Sequence, residues 1–197
     1  AEEEAEEDWL NLWFALVNAV MLAAMTGLTV YLADGGEGEE GVRKNLELIR
    51  TIREAVGPDV EIMFDAWSSW NVPYTLEMAE RAAEYRPWWF EEPVMADMIP
   101  QYAELRRTIS TIAISGGEHE YTRWGFMQII KKRALDILQP DIAWAGGLSE
   151  TRKICTIAST AGLPVIPHSG NAPLSQHIWF SQNAETVPLA EFLVKWN

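Results

Sequence analysis

Residues 88–119 read WWFEEPVMADMIPQYAELRRTISTIAISGGEH, and the fold class follows from this stretch. WWFEEP (88–93) is a short aromatic run stopped by proline, the pattern of a buried strand. IPQYAELRRTI (99–109) predicts a helix, and TIAISGGEH (111–119) a second apolar strand broken by glycines. A strand, a helix and another strand in close succession make the unit that joins parallel strands.

The same alternation extends both ways. Upstream, LTVYLAD (28–34) predicts a strand, GGEGEE a turn, and residues 40–56 a helix with Leu46, Ile49, Ile52 and Val56 on one face. VEIMFD (60–65) then predicts a strand and YTLEMAERAAEY (74–85) a helix. Downstream come helix 124–134, strand LDILQPD (135–141), helix 148–162 with Ser149 as its cap, strand LPVIPH (163–168), helix 172–184 and strand VPLAEFLV (187–194). Short apolar strands alternating with amphipathic helices imply an α/β fold with a parallel sheet covered by helices. Seven strands suit a TIM-type (β/α) barrel one strand short, or an open sheet. No Gly-x-Gly-x-x-Gly follows the first strand, so a dinucleotide fold has little support.

Polar residues close successive strands. Asp65, Glu91, Glu118, Asp141 and His168 follow one another at steps of 26, 27, 23 and 27 residues. Each step is one strand-plus-helix unit, so in a barrel all five converge on one rim. Three close carboxylates repel unless protonated or shared by a cation, and an all-oxygen set suits Mg²⁺. Such an ion would bind a substrate carboxylate and stabilise charge as the neighbouring α-proton leaves. His168 would take that proton, with Asp141 orienting its ring. Against this stands the plainer reading that an acid after a strand caps a helix or meets solvent.

Composition narrows the remaining classes. The 197 residues carry a net charge of −14, which argues against nucleic acid as partner. Cys155 is the single cysteine; it reads as a buried thiol in a chain suited to a reducing, cytoplasmic compartment. Residues 9–33 carry no charge, but two asparagines, Gly27 and the lack of flanking Lys or Arg argue for a buried or partner-facing helix over a membrane span or secretory signal. Glu92 and Asp97 read as solvated or structural, and His177 as a surface or packed histidine.

FDAWSSWNVPYTLEMAERAAEY, WWFEEPV, ISGGEHEYTRWGF, DILQPDIAWAGGLSETRKI, VIPHSG and PLAEFLVKWN resemble the barrel domain of the enolase superfamily, most closely its rhamnonate dehydratase-like acid-sugar dehydratases in the mandelate racemase subgroup. The resemblance runs over residues 37–197. It implies that Asp65, Glu91 and Glu118 hold Mg²⁺, that His168 is the general base with Asp141 as its dyad partner, and that His119 lines the same site. It further implies α-proton abstraction from a sugar acid, enediolate formation and loss of the β-hydroxyl to give a 2-keto-3-deoxy acid. Arg123 and Glu191 are candidates to contact substrate. A racemase or epimerase using the same proton abstraction is the alternative chemistry.

The sequence departs from that family in three places. The expected capping domain has no counterpart, and residues 1–27 read as a separate acidic and apolar helix. The first barrel strand has no match. Ser169-Gly170-Asn171 stands where a His-Gly-His ending is expected. These departures lead to the expectation of a truncated or artificial barrel, active or non-catalytic, whose open edge or N-terminal helix offers a second copy a pairing surface.

Overall fold

The computed structural model describes residues 27–31, 38–168 and 172–191. The expected N-terminal helix, the candidate span within 9–26, and the 169–171 ending lie outside them. Among the described residues no helix is long and apolar enough to cross a membrane.

Five parallel strands run in sequence order: β1 (Gly27–Tyr31), β2 (Glu61–Asp65), β3 (Trp89–Glu91), β4 (Ala113–Gly116) and β5 (Ile137–Leu138). The helices are α1 (Gly38–Val56), α2 (Val72–Ala82), α3 (Ile99–Thr108), α4 (Thr122–Lys132), the short α5 (Ile142–Ala145), α6 (Leu148–Thr160) and α7 (Ala172–Ser181). Of the last two expected strands, residues 163–168 and the described part of the second, 187–191, are extended segments. Residues 163–168 pair with β5 through Ile166 N–H to Leu138 O at 2.9 Å and His168 N–H to Pro140 O at 3.1 Å. Residues 186–191 follow alongside, with Val165 N–H donating to Thr186 O at 2.7 Å. Pro164, Pro167 and Pro188 lack the N–H a regular ladder needs, which leaves isolated bridges there.

Local details differ from expectation at a few points. The buried face of α1 is Val42, Asn45, Ile49 and Ile52, with Leu46 and Val56 only partly covered. Ser149 does not cap α6: the helix starts at Leu148 with Gly147, at φ 85°, in the cap position. Asp141 is itself a cap, its side chain accepting from Trp144 N at the start of the unforeseen α5. Cys155 is buried on α6, as expected.

Successive strand residues face opposite ways, and both faces are covered. Ile62, Phe64, Phe90, Ile114, Leu138 and Val165 pack under the helices. Met63, Trp89, Ile137 and Ile166 make a second cluster on the other face, with Ala113 and Leu189 against it. Ligand atoms of Glu91, on β3, and Glu191, on the last segment, lie within 4.8 Å of each other. Four strand spacings in a flat sheet would put their backbones roughly 19 Å apart, so the sheet rolls, and the second cluster fills the interior of the roll.

Candidate metal centre

The site is one pleat above that interior cluster. Two residues beyond Met63, Trp89, Ile137, Ile166 and Leu189 stand Asp65, Glu91, Gln139, His168 and Glu191. Because side chains alternate along a strand, an apolar layer is followed on the same face by a polar one. The backbones share the register: Asp65 pairs with Glu91, and Asp141 bridges to His168.

Glu118 arrives by a different route. β4 ends at Gly116, and Gly117 has φ 110°, a conformation L side chains rarely adopt. A Cβ there would lie 2.9 Å from Cε1 of Phe126. The glycine lets the chain turn against α4 and deliver Glu118 to the mouth.

Charges are packed closely. Nδ1 of His168 lies 2.9 Å from Glu118 Oε2 and 2.8 Å from Glu191 Oε2, yet neither oxygen meets the ring N–H in hydrogen-bond geometry. His119 Nδ1 sits 2.7 Å from Glu92 Oε2 and 3.4 Å from Glu118 Oε1. Glu91 is 1% exposed and accepts from the Trp89 indole at 3.1 Å. Asp65 accepts from Trp67 N at 2.8 Å.

These surroundings move the acidities. Burial pushes Asp65 up to about 7, opposed by the Trp67 N–H and reinforced by Glu118, Glu191 and Glu92. Burial and then the Glu191 and Asp65 charges raise Glu91 well above the usual carboxylate range. Burial would raise Glu118 too, but His168 and His119 outweigh it and hold it low. Burial disfavours a charged His168, yet Glu118 and Glu191 raise it to about 11.

Among the described residues two sets of potential ligand atoms fall within 4.8 Å: Glu91, His168 and Glu191; and Glu92, Glu118 and His119. Asp65, Glu91 and Glu118 share the mouth but, among the described residues, make no such trio by themselves. Repulsion spreads like charges, and the His168 ring draws Glu118 and Glu191 to itself. The basic side chains in contact with this group of acids, among the described residues, are His119 and His168. Buried carboxylates with so little compensation, oxygen-rich and converging, fit a hard divalent ion.

Other expected site residues are placed differently. The Asp141 carboxylate is taken by Trp144 N at 2.9 Å, while His168 Nδ1 faces two glutamates, so the expected Asp141–His168 side-chain dyad is replaced by a backbone bridge. Arg123 is tied to α6: its Nη1 lies 2.7 Å from both oxygens of Glu150, and its backbone N–H donates to the same side chain at 3.0 Å. That ion pair binds α4 to α6 and occupies the guanidinium expected to contact substrate. His177 and Asp97 are exposed.

Glu92, read from the sequence as solvated or structural, is buried, and Gln139 carried no sequence reading. Glu92 is 1% exposed, with φ 36°; it accepts from Gly117 N at 3.1 Å and holds His119. Its adjacency to Glu91 was the only sequence signal. Gln139 is 0% exposed; counting two from Ile137 would have placed it in the polar layer. The rim carries exposed aromatic rings, including Trp67, Tyr121 and Trp144, with Tyr121 stacked on Trp144 at 5.9 Å and Trp144 edge-on to His119 at 5.3 Å.

Comparison with known proteins places the arrangement. The sequence profile of the enolase C-terminal domain-like family matches residues 17–190. The match begins inside the segment 1–27 that composition set apart. L-rhamnonate dehydratase of Saccharopolyspora erythraea is 42% identical over 159 residues, covering 80% of this chain and 40% of that protein. The crystal structure of rhamnonate dehydratase from Gibberella zeae complexed with Mg is 39% identical, with a TM-score of 0.83, over 89% of this chain and 43% of that one. The 3,6-anhydro-D-galactonate cycloisomerase of Zobellia galactanivorans is 31% identical, with a TM-score of 0.76, over 90% and 49%. The chain thus spans less than half the length of these relatives.

Proposed function

The chain belongs to the enolase C-terminal domain-like family, and on that premise we propose that it carries the barrel portion of a Mg²⁺-dependent dehydratase converting a rhamnonate-like sugar acid to a 2-keto-3-deoxy acid. The likeness to rhamnonate dehydratases supports the substrate class. The observation that carries the reading is the convergence of Glu91, His168 and Glu191, with Glu92, Glu118 and His119 beside them, at the mouth of the rolled sheet.

Asp65, Glu91 and Glu118 are the residues to hold the ion. When bound, Mg²⁺ supplies a positive charge that binds the substrate carboxylate and stabilises the charge developing at its α-carbon. With Glu118 committed to the ion, His168 would lose one of the two carboxylates that hold it protonated, and its neutral ring would accept the α-proton. Its Nδ1 faces Glu118 and Glu191, which orients the ring and leaves Nε2 to exchange a proton with substrate. The C–H electron pair becomes the new C=C bond as the β C–O bond breaks. His119, held by Glu92, gives the departing hydroxyl a proton, so water leaves and the enol tautomerises to the keto acid. Glu191 also accepts from a substrate hydroxyl. Asp141 and Arg123 act on the frame, capping α5 and joining α4 to α6.

The test is calorimetric titration of the chelator-treated chain with Mg²⁺, beside a Glu91→Gln, Glu118→Gln double variant. One-site saturable binding, lost in the double variant, is expected; a panel of sugar acids is then assayed for keto-acid product. Absence of binding in a chain that melts cooperatively sinks the metal assignment. Binding without product from any sugar acid removes the dehydratase reading for this chain.

A further inference from the structure

Gln139 stands in the same layer as the acids and has no place in the chemistry above. It follows Ile137 by two residues, and Ile137 belongs to the interior cluster, so the Gln139 side chain is directed into the roll. Its backbone is pinned: Gln139 N donates to Gly116 O at 2.8 Å, and Pro140 follows. The residue is 0% exposed, and among the described residues neither its Nε2 nor its Oε1 has a partner in hydrogen-bond geometry. A buried carboxamide in that condition is rare and costly in native proteins.

Its neighbour explains why an amide would be kept there. Gln139 and Glu91 stand in one layer of the roll, each two residues beyond a member of the interior cluster, Ile137 and Trp89, with β4 between their strands. Glu91 accepts from the Trp89 indole on its own strand, and the unpartnered Gln139 amide stands in the same layer two strands away. A carboxylate that ligates a cation needs its free oxygen aimed, and neutral N–H donors aim it without adding charge to a crowded site. A leucine would fill the same space with no polar atoms left over, and a glutamate would add repulsion.

We propose that Gln139 is a positioning residue for Glu91, its amide N–H closing a hydrogen bond that turns the carboxylate toward the divalent ion. The inference rests on the reading of Glu91 as a ligand, and the experiment separates the two.

Mg²⁺ affinity is measured by calorimetry on the full chain and on Gln139→Leu, Glu91→Asp, the combination of the two, Glu91→Gln and Ser115→Ala. Ser115 shares the layer, but its hydroxyl turns to Phe90 O at 3.5 Å. Chelator-treated melting temperatures are recorded for each. Gln139→Leu is expected to weaken Mg²⁺ binding roughly 10- to 100-fold with an unchanged or higher melting temperature, while Ser115→Ala stays near the parent affinity. In Glu91→Asp, whose shorter side chain draws the carboxylate away from Gln139, adding Gln139→Leu is expected to have little further effect. Parent-like affinity in Gln139→Leu, with binding lost in Glu91→Gln, overturns the inference and leaves the metal assignment standing. An equal loss from Gln139→Leu in both backgrounds also overturns it. Parent-like binding in Glu91→Gln overturns both. Should Gln139→Leu fail to melt cooperatively, Gln139→Met carries the same expectations.

Discussion

His168 shows what the site asks of single residues. Its sequence neighbours offer no charge to hold it, yet two glutamates from other segments approach Nδ1 at 2.9 and 2.8 Å. Glu91 shows the opposite case, a carboxylate 1% exposed to which, among the described residues, only the Trp89 indole donates in good geometry. Burial and neighbouring charges make that carboxylate unfavourable, so neutralising it should not harm the fold. Glu91→Gln is expected to lose saturable Mg²⁺ binding while the melting temperature of chelator-treated protein holds or rises. About 1 kcal/mol would appear as a rise of roughly 2–4 °C for a domain of this size. A clear fall in differential scanning calorimetry would mean that Glu91 is structural.

Elements carry the site only if their ends are placed correctly. Helix α2 begins where Asn71, in extended conformation, accepts from Tyr74 N at 3.0 Å. The loop before it, following Asp65, is thereby pinned. Asn71→Ala should cost about 1 kcal/mol, readable as a lower urea midpoint with an unchanged slope, because the cap contributes a hydrogen bond and little buried area. Gly117 is a stricter case. An alanine there meets Phe126 at 2.9 Å while held at φ 110°. Gly117→Ala is expected to destabilise by about 1–3 kcal/mol and to weaken Mg²⁺ binding, since Glu118 is the next residue. Loss of stability with parent-like affinity would show that the turn does not set the Glu118 position.

The whole molecule couples the mouth to stability. Asp65 is raised to about 7 from an ordinary 3.8 by burial and neighbouring acids. A carboxyl whose folded value exceeds its unfolded one takes up a proton on folding, so its stabilising effect is full below about 4 and is lost as pH rises through about 7. Chelator-treated protein should therefore melt higher at pH 5.5 than at pH 7.5, and Asp65→Asn should flatten that difference. Magnesium binds only the folded state and should raise the melting temperature most at the higher pH, where the carboxylates are ionised. A pH slope unaffected by Asp65→Asn would assign the effect to other groups.

Much of this was legible in the chain itself. Alternating apolar runs and helical periods gave seven strand-like segments and the parallel order, because burial on both faces of a parallel sheet demands that pattern. Asp65, Glu91, Glu118, Asp141 and His168, each one strand-plus-helix unit from the next, pointed to a shared rim, since each strand ends there. Glu191, two residues past Leu189, was equally readable, whereas Gln139 was passed over because a neutral amide raises no charge alarm. What only the tertiary structure decided is who touches whom. Asp141 went to the start of α5, because a free N–H three residues on is nearer than an imidazole on another strand. Arg123 went to Glu150, which another helix presents. Glu92 turned inward at φ 36° to hold His119. Sequence sets the period and the chemistry of each side chain, which are local properties. Which partner wins a buried charge depends on distances across the roll, and those exist only once the sheet has curled.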